Sequence, residues 1–546
     1  MSNEYQSRRS FIKMILAAAP ALAFDWSVFP VGAFAADSDT DNRDVIIIGS
    51  GLGGLTAAAA FARQGFRAIV LEKHDRPGGY ATVFNRPGGF QFDVSLHSTS
   101  VPQTDGRRHI QGFPEITAVE FLPHPSTFRG IFPDHDITCP QCNPDEYIDR
   151  LKKLFPAEIS GIDSIFETMR GINTDIEKVQ KLRGEINYRT FPFDYPHLFK
   201  AYSQPWGQIV DSCIKDIKLK GIINAQWEYY GLSPSKLSPI YYALPFMGYL
   251  ENGGYYPRGG SQAISDAFVD FITSHGGKVM LKTTVDEILI ENGAAYGVRT
   301  ADGQTYNARA VISNANAHDT FKKLMTPGDN LSEYLKKMSG YTVSLSSFQV
   351  WLGLKTDLVR SLGLTDAEIF HFDSYDPETA FEAMVEGRIE DEGGYGLTLY
   401  DNLYDGYSPA GKNTVNIMTL MGYDYWKKYE ADYFSGNKGA YKADKERIAN
   451  LLINRAEQTL MPGLRDAIEV IEIGTPLTNV RYTGNYRGGI YGWDQTLDNA
   501  MPNRMPQTTP IDNLYLSSAW TQPGGGYGGV IWSGLNCFSE VVKNWG

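Results

Sequence analysis

The sequence is poor in cysteine, with four in 546 residues. That count excludes a disulfide-dense scaffold. Cys139-Pro140-Gln141-Cys142 is a lone C-x-x-C, and Cys213 and Cys537 stand apart from it, so no metal site is read. The order of preference for the pair is a short-loop disulfide, then free thiols, then a redox or metal function; no thioredoxin-like β-α-β context surrounds it. Positive charge is also short, with 50 Lys and Arg against 63 Asp and Glu and a formal net charge of −13. No basic block follows the first residues, which argues against nucleic acid as a partner. There is no H-E-x-x-H, no Ser-His-Asp order, no internal repeat, and no later apolar run long enough to span a bilayer. What remains is an ordinary globular composition, 42% hydrophobic and 21% charged, in a chain too long for one core.

The N-terminus reads as an address. Ser7-Arg8-Arg9-Ser10-Phe11-Ile12-Lys13 is a twin-arginine signature, followed by the apolar run Met14 to Phe24 and the small-x-small site Ala33-Phe34-Ala35. Residues 1–35 are therefore expected to be a signal peptide cut after Ala35, with an uncleaved anchor as the alternative. The twin-arginine export machinery is an expected partner, and the location periplasmic or otherwise extracytoplasmic. That route carries folded proteins, which suits an enzyme that takes up its cofactor before export.

Glycine is abundant, at 55 residues, and the first cluster carries the most information. Val45 to Ile48 is a short apolar β-branched run, read as a strand. Gly49, Gly51 and Gly54 follow in the G-x-G-x-x-G pattern, with Gly53 as an extra. Leu52 to Gln64 is alanine-rich and free of proline, hence helical, and Gly65 is placed to end it. Ala68 to Leu71 is a second strand that finishes on Glu72. Gly49 permits the tight turn, Gly51 the approach of a pyrophosphate to the helix N-terminus, and Gly54 close packing of helix on sheet. Glu72 is placed to accept hydrogen bonds from a ribose diol. The motif by itself does not choose between NAD and FAD.

Further along, Arg76-Pro77-Gly78-Gly79 marks a turn, and Gly89 to Asp93 a short strand. Residues 145–155 read as a helix within a proline- and aromatic-rich region with an apolar pocket. Tyr255-Tyr256-Pro257-Arg258-Gly259-Gly260-Ser261 precedes an amphipathic helix containing Ile264, Phe268 and Ile272. Strands are expected at 278–281, 285–290, 295–300 and 304–308, with a further one at 311–315. Strand candidates at 343–352, 395–403 and 414–421 and a helix at 442–460 follow. At the C-terminus, strand 513–516 leads to the glycine-dense stretch Ser518 to Val530 and a helix from Ile531 to Val542.

Three of these blocks carry a resemblance. Glu72-Lys73, Gly78-Gly79 and Phe92-Asp93-Val94 resemble the N-terminal FAD signature of the phytoene desaturase, carotenoid isomerase and retinol saturase group, within the amine-oxidase-like flavoproteins. Gly253 to Asn316 resembles the middle of that group, which implies that Pro257-Arg258-Gly259-Gly260-Ser261 begins the second pass through the FAD domain and that the backbone near Val285 holds the adenine end; Ser518 to Val530 is similar to the group's C-terminal motif, and Asp93-Val94-Ser95-Leu96-His97 to the retinol saturase pattern, with Ser95 where glycine would stand. The resemblance implies an α/β fold: a Rossmann-like FAD domain from residues 36–100, 251–330 and 476–546, and a discontinuous substrate domain from 101–250 and 331–475. It implies FAD as cofactor, held by Gly49, Gly51, Leu52, Gly53, Gly54, Glu72, Lys73, Gly78, Gly79, Val285, Asn314, Trp520, Gly526, Gly529 and Val530. It implies an FAD-dependent oxidoreductase acting on an apolar, unsaturated substrate such as a polyene, retinoid or lipid. The outcome would be desaturation, saturation or isomerisation, with an electron donor or acceptor yet to be named and peripheral membrane contact as a further partner. His97 and Tyr491 are the candidate catalytic residues. The alternatives are an exported amine or amino-acid oxidase, and a non-catalytic flavin-bearing electron-transfer or binding protein.

Overall fold

The apolar run before the first glycines becomes the central strand of a sheet. The structure, a computed structural model, describes residues 24, 26–29, 42–181, 187, 189–325, 331–391, 394–500 and 503–545. The twin-arginine signature and the Ala33-Phe34-Ala35 site lie outside the described residues. Strand Asn42–Ile48 pairs in parallel with Ala68–Leu71 on one side and Thr305–Ser313 on the other. Lys278–Met280 extends the sheet in parallel beyond Ala68–Leu71, and Leu514–Leu516 runs parallel to the end of Thr305–Ser313. The antiparallel pair Val285–Glu291 and Ala294–Thr300 completes the far edge. Parallel strands covered on both faces need continuous apolar sequence, which is why Val45, Ile46 and Ile47 are all fully buried.

Three helices cover one face: Leu52–Arg63, Gln262–Ser274 and Tyr527–Trp545. Four consecutive alanines, Ala57 to Ala60, let Leu52–Arg63 lie deep in the core. The other face is covered by Phe321, Leu331 and Met338 together with Trp493 and Trp520. This is a Rossmann-like α/β layering.

A second, mixed sheet stands apart. Its order is Ile468–Gly474, Ser346–Leu354, Asn413–Met421, Tyr395–Thr398, Glu368–His371, Phe128–Ile131 and Asp136–Cys139. Helices between residues 144 and 252 pack against it around Trp206, Tyr242 and Phe246. The two parts are tied through Asp93. This fully buried carboxylate accepts from the Ser261 N–H (2.7 Å), the Ser261 hydroxyl (2.9 Å) and the Tyr256 hydroxyl (2.9 Å). Its backbone carbonyl accepts from the Trp351 indole (2.8 Å), on the second sheet. That knot fixes the chain just before His97.

Several expectations are corrected. Strands 304–308 and 311–315 form one strand, Thr305–Ser313, whose burial alternates in the first half and is continuous in the second. The first half sits in an exposed hairpin and the second in the parallel core, so one strand carries two periodicities. Residues 101–250 do not all belong to the substrate side: Ile110, Phe113, Ile116 and Val119 are buried against the helices of the nucleotide sheet. Likewise Met338 and Val343 pack on that sheet's other face, beyond the expected boundary at 330. Cys139 and Cys142 are free. Cys139 ends a strand and turns into the core, whereas Cys142 lies exposed in the following turn at φ 52°. No helix among the described residues is long and apolar enough to cross a membrane.

Within the stretch expected to be a leader, Phe24, Trp26 and Phe29 pack on Phe538. The Trp26 indole N–H donates to the Gly112 carbonyl (3.0 Å), and the Arg63 guanidinium lies 4.1 Å from its ring centroid.

Candidate functional site

The site starts where strand Asn42–Ile48 ends. Gly49 sits at φ 92°, a conformation that side-chain-bearing residues rarely adopt. Its N–H donates to the Leu71 carbonyl (2.8 Å), which turns the chain sharply into helix Leu52–Arg63. That helix starts at Gly51 without a side-chain cap. Its positive end is therefore available to an anion. A Cβ on Gly53 would stand 2.8 Å from the Ser517 carbonyl oxygen, and one on Gly51 would stand 2.6 Å from Asn314 Nδ2. Gly54 packs behind the turn against Gly49 and Ile47, and its N–H donates to Asn314 Oδ1 (3.0 Å). The Ser517 hydroxyl donates to the Gly53 carbonyl (2.8 Å). Three segments far apart in sequence therefore close on one glycine turn.

Glu72 is buried and already engaged. Its Oε2 accepts from the Ser50 N–H and hydroxyl, both 2.7 Å, and its Oε1 accepts from the His74 N–H (2.8 Å). A carboxylate has about four lone-pair sites. The expected ribose contact therefore has to share a group that also braces the turn. The Gly78 N–H donates to the Ser50 carbonyl (2.9 Å), so the second glycine pair is stitched onto the first.

These groups open onto one cavity of about 1140 Å³. Its lining includes Gly49, Gly51, Leu52, Gly53, Glu72, Lys73, Gly78, Gly79, Val285, Asn314, Trp520, Gly526, Gly529 and Val530, together with His97 and Tyr491. Of the residues singled out from sequence, Gly54 alone stands behind this wall. The volume exceeds the roughly 300–1,000 Å³ of a single small-molecule site. It has room for a dinucleotide and a second ligand. The uncapped helix end suits a pyrophosphate and the Glu72 carboxylate a ribose, so the residues present fit FAD. Helix Tyr527–Trp545 begins inside the glycine-dense turn, earlier than its apolar spacing suggests, and aims its positive end at the same cavity.

The other end of the cavity is aromatic and aliphatic, with Tyr230, Tyr241, Leu244, Tyr249, Phe370 and Ile490 in its wall. Tyr241 lies against Gly524, and Tyr491 against Gly525 and Gly231. Burial pushes the Tyr491 phenol well above its ordinary pKa.

A polar cluster interrupts this apolar end. His97 Nδ1 lies 3.1 Å from Glu368 Oε1 and 3.1 Å from the Thr398 hydroxyl. The Tyr229 hydroxyl donates to the same Glu368 oxygen. His97 Nε2 and Glu368 Oε2 are buried without a protein partner. Buried polar atoms are normally paired, so these two mark a candidate place for a proton or a polar ligand group. Burial pushes the His124 pKa down to about 4, which keeps that ring neutral. Burial also pushes the Glu228 carboxyl, on the cavity wall, up to about 8.

Glu228, Glu368, Tyr229 and His124 are not among the sequence candidates. The one local signal was a charged residue set in an apolar run, as in Ala367-Glu368-Ile369-Phe370 and Trp227-Glu228-Tyr229. No group of metal-ligating side chains occurs among the described residues.

Comparison with known proteins extends this picture. Residues 52–541 match the family model of flavin containing amine oxidoreductases. The chain is 28% identical over 529 residues to prolycopene isomerase 1 of an Oncidium hybrid cultivar, covering 93% of this chain and 85% of that one. It is 26% identical over 546 residues to all-trans-retinol 13,14-reductase of Danio rerio, covering 93% and 88%. Among solved structures, an oxidoreductase from Methanosarcina mazei superposes with a TM-score of 0.59 at 17% identity, covering 92% of this chain and 100% of that one. At that identity the superposition speaks for the fold alone.

Two outcomes follow from this geometry. Gly53→Ala drives a methyl into the Ser517 backbone, at about 1–3 kcal/mol of strain. FAD binding should weaken by roughly 10- to 100-fold, read as visible flavin absorbance per mole of protein after dialysis; full retention would show that the two segments do not need to touch. The second outcome concerns pH. In the unfolded chain the Glu228 carboxyl ionises near about 4.3, against about 8 in the folded protein. Between those values the folded state holds a proton that the unfolded state has lost, so stability falls as pH rises through this window. Glu228→Gln removes that loss. Its thermal midpoint should match wild type below about pH 4 and exceed it near about pH 9, whereas parallel profiles would rule the assignment out.

Proposed function

This chain belongs to the family of flavin-containing amine oxidoreductases and its cofactor is FAD, and from that premise we propose that it acts on an apolar, unsaturated substrate of polyene or retinoid type. The observation that carries this reading is the single cavity that runs from the nucleotide cradle into an aromatic and aliphatic end. The kinship with a prolycopene isomerase and a retinol reductase along most of the chain supports it, since both names denote conjugated polyenes.

Bound FAD supplies the capacity to accept or give a hydride at carbon. The chain's own residues supply position, dryness and a proton site. Tyr241 and Tyr491 press on the Gly524-Gly525 turn and form the wall along which a flat, conjugated chain can lie. With Glu368 accepting from Nδ1–H, the His97 ring presents Nε2 as the atom that takes or gives a proton. Glu368 and Tyr229 hold that ring in orientation and act through it.

An amine or amino-acid oxidase is the competing reading, and the aromatic pair beside the glycine turn is what favours it. The apolar lining of that end of the cavity, with the Glu228 carboxyl held neutral by burial, favours the polyene. The test is anaerobic. Protein reduced with dithionite is mixed with all-trans-retinol or a cis-carotenoid, and the products are followed by chromatography and mass spectrometry. A saturated or isomerised polyene is expected; inertness to polyenes, with hydrogen peroxide released from an amine panel in air, would replace this reading with the oxidase. His97→Gln should keep its FAD and lose about 10²- to 10⁴-fold in turnover, and unchanged turnover removes His97 from the chemistry.

Export belongs to the same proposal, supported by Ser7-Arg8-Arg9 and the apolar run after it. A cut after Ala35 would detach the Phe24, Trp26 and Phe29 cluster from Phe538. The intact mass of the protein from the periplasmic fraction decides: a chain starting at Ala36 is expected, and one that still contains Trp26 refutes cleavage at that site.

A further inference from the structure

Glu228 faces two ways. It sits on the short helical turn Trp227–Tyr230 and is 3% exposed. Among the described residues none hydrogen-bonds its carboxyl, and burial is the cause that lifts its pKa. On one side it lines the aromatic end of the large cavity, with Tyr229, Tyr230 and Phe370. On the other it lines a separate surface cleft of about 20 Å³. A water needs roughly 10–15 Å³ measured in this way, so the cleft has room for one. Glu228 is the one residue common to the two linings.

The cleft leads outward to polar groups. Its lining includes Asp373 and Asp376, both exposed, from the loop between strand Glu368–His371 and helix Pro377–Glu386. Asp376 is fixed there by accepting from the Glu378 N–H (3.0 Å) and the Thr379 hydroxyl (2.7 Å), and Asp373 lies 3.4 Å from His371 Nδ1. The His97 cluster has no such outlet. His97, Glu368 and Thr398 are buried, and none of them lines the cleft. Tyr229, which donates to Glu368, is the chain neighbour of Glu228, so one short turn carries a link to the inner cluster and a link to the surface.

An apolar substrate seated in the aromatic end keeps water out of it. Saturating one double bond consumes a hydride, which the bound cofactor supplies with its two electrons, and one proton. That proton has to be replaced at each turnover through a wall of hydrocarbon. We propose that Glu228 is the proton-entry residue of the site, passing protons from the surface cleft to the substrate end of the cavity. The Glu228 O–H bond breaks and its proton goes into the cavity. The carboxylate left behind takes a proton from water in the cleft, which is replenished from solvent beside Asp373 and Asp376. No electron moves in this relay. The inference deepens the polyene reading and rests on it for the need of a proton, but the route itself can be tested without substrate.

The test uses the FAD-loaded full chain near neutral pH. Infrared difference spectra of wild type against Glu228→Gln should isolate a carboxylic acid band, whose shift on mixing with D2O reports how fast the Glu228 proton exchanges. Ala380 also lines the cleft, and Ala380→Leu fills it while leaving Glu228 in place. Exchange then has to await local opening and should slow by roughly tenfold or more. Wild-type exchange in Ala380→Leu, or a difference spectrum without the acid band, overturns the proposal. Should Ala380→Leu not fold, Ser374→Leu plugs the same cleft and is read in the same way. In turnover, Glu228→Gln should keep its FAD and form saturated polyene about 10²-fold more slowly or worse, and a wild-type rate overturns the proposal. If wild type itself reduces no polyene, the substrate reading fails, and the exchange comparison still decides the route.

Discussion

The structure depends on a backbone contact so close that it admits no side chain. The Gly49–Gly54 turn receives Asn314 from one side and Ser517 from the other. The Gly54 N–H donates to Asn314 Oδ1, and the Gly53 carbonyl accepts from the Ser517 hydroxyl. Asn314 is itself positioned by its N–H donating to the Ile48 carbonyl, and Ser517 by its N–H donating to the Ser313 carbonyl. Three distant pieces of chain are thereby locked to the ends of three neighbouring parallel strands. The loops that leave those strand ends form the cradle, as ligand sites in open parallel sheets do.

A second constraint follows from what the insertions bring. The mixed sheet carries Glu368 to His97, which with Glu228 lines the cavity, and His124 is buried nearby. Burying such groups costs stability, and His124 and Glu228 respond by favouring their neutral forms. A fold under selection for packing alone would have placed hydrocarbon there. The cost is concentrated at the end of the cavity away from the nucleotide turn, where a substrate must be oriented and a proton held. Behind the Tyr491 loop, Arg504 is buried with seven oxygens converging on it; burial lowers its pKa, and the nearby Tyr241 and Asp494 act against that.

Legibility in the sequence followed the range of each interaction. The turn at Gly49, the alanine-rich helix and the end of that helix at Gly65 are local events, decided within a few residues by backbone freedom and helix propensity. They are visible in a linear reading. Strand Thr305–Ser313 was harder, because its halves have different neighbours and so different patterns. The segment 110–119 carries no nucleotide motif, and its attachment to the nucleotide core rests on where Phe113 meets Phe268 and Phe271. The disulfide suggested by Cys139 and Cys142 fails for a similar reason: spacing permits it, but one thiol is turned into the core and the other outward.

The sequence by itself determined the nucleotide-binding turn, the α/β class and the glycine-rich C-terminal wall, since each is written in short-range spacing that only glycine or an apolar run can satisfy. Tertiary structure alone decided that His97 meets Glu368 across 271 residues, and that Arg504 sits in a cage of carbonyls. It also decided that Glu228 is buried deeply enough to resist ionisation. The reason is physical: the charge state and partners of a side chain depend on its solvent and its neighbours in space, and neither is encoded at fixed separation along the chain.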